Sequence, residues 1–321
     1  MSRHVIRPFR EADLPAAAGL LAERHKEHRK RHPLLPADYE SERLALVEVT
    51  ALWESESASG AVILDDGELT GYLLGAPKQS TMWGPNIWVE AAGHAVREPE
   101  HIRDLYAAAA TKWVDDGRIA QYALVPDDPE LLDAWFRLAF GSQHVHAIRP
   151  APTTPPPEYP GLTVRRAVRD DIAVLAQLDL VLPQHQGLSP VFSAGEMPTM
   201  QEALDDWEES IDDPDYATFV AEYDGRVIGS SIGCALDKSS SHSGLARPDN
   251  AGFLGFAAVL PEARGRGAGR ALGEAVLQWS ADTGYTSVVT DWRVTNLLSS
   301  RAWPKLGFEQ TFHRLHRLIG Y

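Results

Sequence analysis

The chain has 321 residues, 44% of them hydrophobic, a formal charge of −15 at pH 7 and one cysteine, Cys234. Length and apolar content predict two domains with real cores; the acidic balance argues against nucleic-acid or anionic-membrane partners, both of which want basic surface; a lone cysteine excludes a disulfide framework and a cysteine-rich zinc site. Residues 1–7 lack the apolar centre of a secretory signal and no apolar run approaches the ~18 residues that cross a bilayer, so a soluble, cytoplasmic protein without a metal is expected.

Residues 4–9 predict a short strand. Glu11, Ala12 and Asp13 open a helix through Leu14, Leu20 and Leu21. It continues into Arg24–His32, the one dense basic run, which is either a solvated helix face or a patch for an anionic ligand. Ala61–Leu64 and Leu69–Leu74 flank Asp66-Gly67 and predict a hairpin with a two-residue turn. Residues 86–92 suit another strand. Residues 101–115 suit a helix with Ile102, Leu105, Tyr106 and Trp113 inward. A strand over 119–125, a helix over 131–140 and a last strand over 145–148 close the domain. Pro150–Pro160 has six prolines in eleven residues, the composition of an extended, stiff linker.

The C-terminal half of the chain repeats the N-terminal half. Ile6-Arg7 and Asp13-Leu14 return as Val164-Arg165 and Asp171-Ile172, and Asp66–Gly75 returns as Asp224–Gly233, both at an offset of 158. Ala134–Phe140 returns as Ala302–Phe308 at an offset of 168. A steady offset predicts two copies of one fold, with ten extra residues in the second copy, expected within 237–252. In that copy, residues 199–211 predict a helix with Met200, Leu204, Trp207 and Ile211 toward the core. Its other face carries Glu202, Asp205, Asp206, Glu208 and Glu209, either a solubilising face or a rim that attracts a cation.

The stretch on which the chemistry turns comes next. Phe253–Val259 reads as a buried strand, stopped by Pro261. Arg264–Arg270 then packs three glycines and three arginines into seven residues. A helix comes after it, with Leu272, Ala275, Val276 and Trp279 on one face. Strand, glycine turn, helix leaves unpaired N–H groups at the positive end of a helix, with no Cβ in the way and fixed positive charge beside them. The natural guest is a pyrophosphate. A dinucleotide fingerprint would follow the first strand of the fold, and a P-loop needs Gly-Lys-Ser/Thr, which is absent.

Arg264-x-x-Gly267-x-Gly269, preceded by Val259-Leu-Pro261 and followed by Asn296 through Gly307-Phe308, resembles the GCN5-related N-acetyltransferase (GNAT) superfamily over about residues 162–318. The resemblance implies a fold class of α/β (α+β) type, with two tandem domains over 1–149 and 161–321, each a mixed, mostly antiparallel sheet flanked by helices. It implies acetyl-CoA as co-substrate. Backbone groups of Ala257 and Val259 would take pantetheine or the thioester oxygen. Arg264, Gly265, Arg266, Gly267, Ala268, Gly269 and Arg270 would hold the pyrophosphate. Asn296 would touch the donor, unless it is only a helix cap.

The implied reaction is direct attack of an amine on the thioester, with N-acetyl transfer to a small-molecule primary amine as acceptor. Many members place a tyrosine acid seven residues after the asparagine; here Trp303 stands there, and its offset partner is also a tryptophan, Trp135, so core packing explains both better. Asp291 and Ser299 are the leading substitutes for catalytic work. Ser300, Glu222, His242, Asp249 and Tyr321 rank behind them, and Cys234 reads as a small core residue. The loop Ser239–Gly244 is either a lid or plain loop. The first copy has Arg97-Glu-Pro-Glu-His101 where the glycine turn should be, and two glutamates repel a pyrophosphate. It is expected to be a degenerate domain: structural partner, part of the acceptor site, or allosteric site. The layout is similar to that of the mycothiol synthase family. The competing readings are a non-catalytic acyl-CoA sensor or scaffold and a peptide N-acetyltransferase.

Overall fold

The strand-to-helix corner that opens each copy is held by one charged knot. β1 (His4–Pro8) leads to α1 (Leu14–Arg31), and the Arg7 guanidinium grips the Asp13 carboxylate with two bonds of 2.7 Å. Asp13 also accepts the Arg10 N–H at 2.9 Å. At an offset of 158, β8 (Leu162–Arg166) leads to α5 (Ile172–Gly187), Arg165 grips Asp171 at 2.7 and 2.9 Å, and Asp171 accepts the Val168 N–H. In both knots the arginine holds the carboxyl below its ordinary range. The computed structural model describes residues 4–320 except 194, 196, 241 and 243. Tyr321, and Ser241 and Ser243 of the Ser239–Gly244 loop, lie outside the described residues.

After α1 come α2 (Glu42–Trp53) and the hairpin of β2 (Ser59–Asp65) and β3 (Glu68–Gly75). Asp66 and Gly67 have φ of +48° and +89°, the pair of left-handed residues that a tight two-residue hairpin turn requires. β4 (Asn86–Val89), β5 (His94–Val96), α3 (His101–Asp115), β6 (Ala120–Pro126) and α4 (Pro129–Phe136) come next. The strands β1-β2-β3-β5 form an antiparallel sheet; β4 runs parallel to β6, and β6 pairs antiparallel with the last strand, β13 (Glu309–Leu318). One core lies under α1 and α2 (Leu21, Val49, Tyr72), the other under α3 and α4 (Leu105, Trp113, Trp135).

The second sheet runs β12-β11-β10-β9-β8, from β9 (Tyr216–Tyr223), β10 (Arg226–Ala235), β11 (Ala251–Val259) and β12 (Ser287–Arg293). Only the β11–β12 pair among these is parallel. α7 (Ala268–Thr283) packs through Leu272 on Ile228 and Ala221; α5 and α6 (Met200–Ser210) pack through Leu175 and Trp207 on Val220. α8 (Leu297–Ala302) lies after β12. This is the expected mixed α/β fold, built twice from sheet and helix modules.

The compact units do not coincide with the repeat at its ends. One comprises Met1–Val145, Ser243–Pro248 and Gln310–Tyr321; the other comprises His146–His242 and Asp249–Glu309. The reason is strand pairing: β13 registers on β6 from Phe312↔Pro126 to Leu318↔Ala120, so the C-terminal strand completes the first unit. β7 (Gly141–Pro150) passes from the first unit into the second at His146.

Three expectations change. Leu204, Trp207 and Ile211 of α6 and its end pack on the core as expected, but Met200 is 43% exposed and Ala203 is buried in its place, the first turn being fixed by a Thr199–Glu202 capping box. The extra length of the second copy is divided: residues 236–250 take part of it, but the turn from Val259 to α7 is also longer than that from Val96 to α3. The basic run Arg24–His32 is divided: Lys26, Lys30 and Arg31 lie on a solvated face, as expected, while His25, His28 and His32 are buried. Among the described residues no helix is long and apolar enough to cross a membrane.

Candidate active site

β11 carries the site. Its first residues pair in parallel with β12, from Ala251↔Ser287 to Leu254↔Thr290, and there the strands part. Along its other edge β11 stays on β10 as far as Val259↔Gly229, but the register slips between Ile232 and Gly233, so Gly255 bulges. A bulge bends its strand and helps end pairing on the far side. The Leu260 N–H donates to the Ile228 carbonyl at 2.9 Å, which sets the phase of the ladder. Antiparallel partners alternate, so Ala258 turns its backbone groups to β10 while Ala257 and Val259 turn theirs to the open side of the fork.

Pro261 begins a single 3-10 turn, Pro261–Ala263, and the chain doubles back. Gly265 and Gly267 have φ of +83° and +87°, values that glycine alone adopts freely. Gly267 caps α7: the Arg270 and Ala271 N–H groups both return to its carbonyl at 3.0 Å. Among the described residues, the N–H groups of Gly265, Arg266, Gly267, Ala268 and Gly269 meet no protein acceptor. They are the orphan donors of a helix start, at its positive end. Arg264 and Arg270 stand beside them, Arg270 with Glu274 at 3.6 Å. Arg266 turns elsewhere, its guanidinium 4.4 Å from the Tyr223 ring centre.

These parts wall a cleft of about 440 Å³. Ala257, Ala258 and Val259 form one side; Arg264, Gly265, Gly267, Ala268, Gly269 and Arg270 form the end; Asn296 to Ser299, Trp303 and Lys305 face them; and Val181, Leu182 and His185 close it from α5. Asn296 is 3% exposed and caps α8, its Oδ1 accepting the Leu298 N–H at 3.1 Å and the Ser299 N–H at 3.4 Å. The same oxygen lies 3.2 Å from His185 Nε2. Trp303 packs on α7, where a Cβ on Gly273 would come within 3.3 Å of the indole. Trp135 is fully buried in its own core.

The structure thus gathers ten of the twelve residues predicted for the site. Asp291 and the Arg266 side chain are not among the cleft's walls. Asp291 Oδ2 is 3.9 Å from His242 Nε2, and the buried His242 ring lies 4.3 Å from that of His146. Glu222 is engaged by Arg165 at 2.7 Å. Ser300 donates to the Val294 carbonyl, Asp249 is exposed, and Cys234 is buried, its thiol pushed up to about 11 by burial. Sequence reasoning missed His185. It stands 111 residues from Asn296 and in no local pattern, so only the fold could join them. Among the described residues no group of three His, Cys, Asp or Glu is placed to hold a metal ion.

Comparison with known proteins agrees with this geometry. The model of the acetyltransferase (GNAT) family matches residues 183–308. An aminoglycoside N(6')-acetyltransferase type 1 of Stenotrophomonas maltophilia is 29% identical over 150 residues, 46% of this chain and 87% of that protein. A Salmonella typhimurium protein of the same name is 33% identical over 110 residues, 34% of this chain and 72% of that protein. Among solved structures, a GCN5-related N-acetyltransferase from Sphaerobacter thermophilus matches 99% of this chain and 97% of its own, at 18% identity and a TM-score of 0.55, a likeness of fold. By the relatedness of its second copy and the fold of the whole, the chain belongs to the GNAT acetyltransferase family.

Proposed function

We propose that the chain is an acetyl-CoA-dependent N-acetyltransferase whose second unit acetylates the primary amine of a small molecule. The observation that carries this is the cleft, where the orphan N–H groups at the start of α7 and the unpaired edge of β11 line one cavity. The donor set suits an acyl-CoA. Gly265 to Gly269 and Arg264 match phosphate oxygens. The outward backbone groups of Ala257 and Val259 match an amide-bearing chain laid alongside as an extra strand. When bound, acetyl-CoA supplies an activated acyl group.

The chain's own residues then bind and orient. A β11 N–H aimed at the reacting carbonyl oxygen stabilises charge as it develops there. Arg270 and Asn296 fix the far walls, and Ser299 offers a hydroxyl. The amine must shed protons to become a nucleophile. The exposed acidic face of α6, with Glu202, Asp205 and Asp206, would draw a cationic amine toward this unit. Because the two curated relatives are named for aminoglycosides, aminoglycosides head the panel of amines to try.

Calorimetric titration of the intact protein with acetyl-CoA tests this. One site per chain is expected, abolished in Gly269→Glu. Gly269 is the better position for a blocking carboxylate: it is helical, and a Cβ there meets only Val259 at 3.7 Å, whereas Gly267 has positive φ. An unchanged affinity in the folded variant would remove the donor-site assignment. Binding without turnover on any amine would favour a non-catalytic acyl-CoA sensor.

A further inference from the structure

The walls of the cleft carry aliphatic, indole, hydroxyl, amide, guanidinium and ammonium groups, and among the described residues that form them His185 is the one imidazole, a side chain that presents one N–H donor and one lone-pair acceptor. No carboxylate, tyrosine or thiol is among them. The indole, guanidinium and ammonium groups there are donors without an acceptor lone pair. His185 lies in the last turn of the 16-residue α5. Its Nε2 is 3.2 Å from Asn296 Oδ1, and two backbone N–H groups already identify that atom as the oxygen. Nε2 must therefore be the donor. The neutral ring then keeps its lone pair on Nδ1. Asn296 is buried and fixed as a helix cap, so the tautomer is held by a rigid partner.

We propose that His185 is a catalytic residue that carries one proton, through Nδ1, from the attacking nitrogen to the departing sulfur. This role rests on the proposed acetyl transfer. The bond that forms is nitrogen to acyl carbon; the bond that breaks is acyl carbon to sulfur. A neutral primary amine loses one proton in becoming an amide, and the sulfur, leaving with the electron pair of the broken bond, needs one to become a thiol. Nδ1 takes the first and delivers it as the second, and the ring returns to its Nε2–H form. No oxidant, reductant or further reactant enters. Asn296 acts as a positioning residue, since its oxygen keeps the other nitrogen protonated throughout.

The test uses the full chain with His185→Gln, which retains an N–H for Asn296 but cannot shuttle a proton, and His185→Asn as a second variant should the first misfold. kcat should fall by about 100-fold or more, with acetyl-CoA affinity by calorimetry within about threefold. Independently of turnover, the imidazole ¹⁵N signal that disappears in the variant should shift on adding CoA and not on adding desulfo-CoA. Undiminished kcat, or a signal indifferent to the sulfur, overturns the shuttle while leaving the donor site intact. A wild-type protein that binds acetyl-CoA yet acetylates no amine overturns the transfer reading and the shuttle with it.

Discussion

The two copies contain the same fork, one closed and one open. In the second copy β11 pairs with β12 over Ala251–Leu254 and then leaves it. In the first, β4 pairs with β6 from Asn86↔Ala120 to Val89↔Ala123, and β5 continues on β3 at Val96↔Gly71. β4 and β5 together are the counterpart of β11, cut by a 3-10 turn at Ala91–Gly93 where the second copy has only the Gly255 bulge. The opening is then filled from within. Arg24 of α1 donates to the carbonyls of His94 and Ala91, the latter at 2.6 Å, and His94 Nε2 reaches the Leu124 carbonyl at 3.2 Å. Asp128 caps α4 through the Glu130 and Leu131 N–H groups, as Asn296 caps α8. The residual hollow, about 590 Å³, is lined by both signs of charge, among them Arg31 and Asp128 at 3.0 Å from each other. What separates the open copy from the closed one, on this comparison, is whether the edge groups of one strand are satisfied by the protein itself.

The largest expected effect sharpens that contrast. Gly269→Glu should lower acetyl-CoA affinity by about 100-fold or more, near 3 kcal/mol, since a carboxylate would stand among the orphan N–H groups. Glu100→Ala in the first copy, which releases Arg103 and Arg137 at the surface, should leave affinity unchanged. If calorimetry shows the reverse, the roles of the copies are exchanged.

Acid is the next lever, and it acts on the closed copy. Burial holds His25 down to about 4, His28 to about 2 and His94 to about 3, with neighbouring cations adding to the effect. A histidine with a depressed folded value takes up its proton on unfolding, so its contribution is intact above the unfolded value near 6.5 and is withdrawn as pH falls below it. Each costs about 1.4 kcal/mol per pH unit between 6.5 and its folded value. The first unit should therefore lose several kcal/mol between pH 6.5 and 5. Hydrogen exchange at the two pH values should show amides of α1 and β5 opening while those of α7 hold. Equal loosening of both would deny these histidines that role.

Much of this was legible in the chain and some was not. The repeat and the Gly265–Gly269 turn emerge from local pattern and spacing, because a glycine with positive φ acts over a few residues, whereas the proline run 150–160 falls inside the second compact unit, which begins at His146. The positions of Ala257 and Val259 came from family resemblance, and the ladder phase gives the physical reason for them. Arg24 as a plug, His185 beside Asn296 and β13 completing the first unit depend on contacts between residues some 70 to 200 apart, for which one sequence has no local mark. The Arg24–His32 run shows the limit best: Lys26, Lys30 and Arg31 face solvent as their charge predicts, but the Arg24 guanidinium turns in to the carbonyls of the broken strand and the three histidines are buried.

Removing the plug tests the comparison directly. The guanidinium of Arg24 is buried although its stem is partly exposed, and burial lowers it to about 10. Arg24→Met keeps the stem but leaves two carbonyls short of donors, at about 1 to 3 kcal/mol for a buried unsatisfied group. A loss of about 2 to 3 kcal/mol in the first unit by denaturant unfolding is expected, with acetyl-CoA affinity unchanged. A second binding site appearing in this variant would show that the side chain alone keeps the first fork from binding donor.

The smallest expected effect lies in the open copy. Asp179 on α5 accepts the Trp207 indole N–H at 2.5 Å, and burial, with Asp206 nearby, pushes its carboxyl up to about 6. A carboxyl whose folded value is raised destabilises the fold once pH exceeds its unfolded value near 3.9, and the loss is complete above the folded one. Asp179→Asn keeps an acceptor for the indole and removes the charge. Because the group is partly open to solvent, the gain at pH 8 should be about 1 to 2 kcal/mol rather than the full value of the shift, and it should vanish by pH 4. A stability gain that does not depend on pH would mean that packing, not charge, sets the cost, and the α5–α6 face would then have no carboxyl poised to titrate beside the acidic helix.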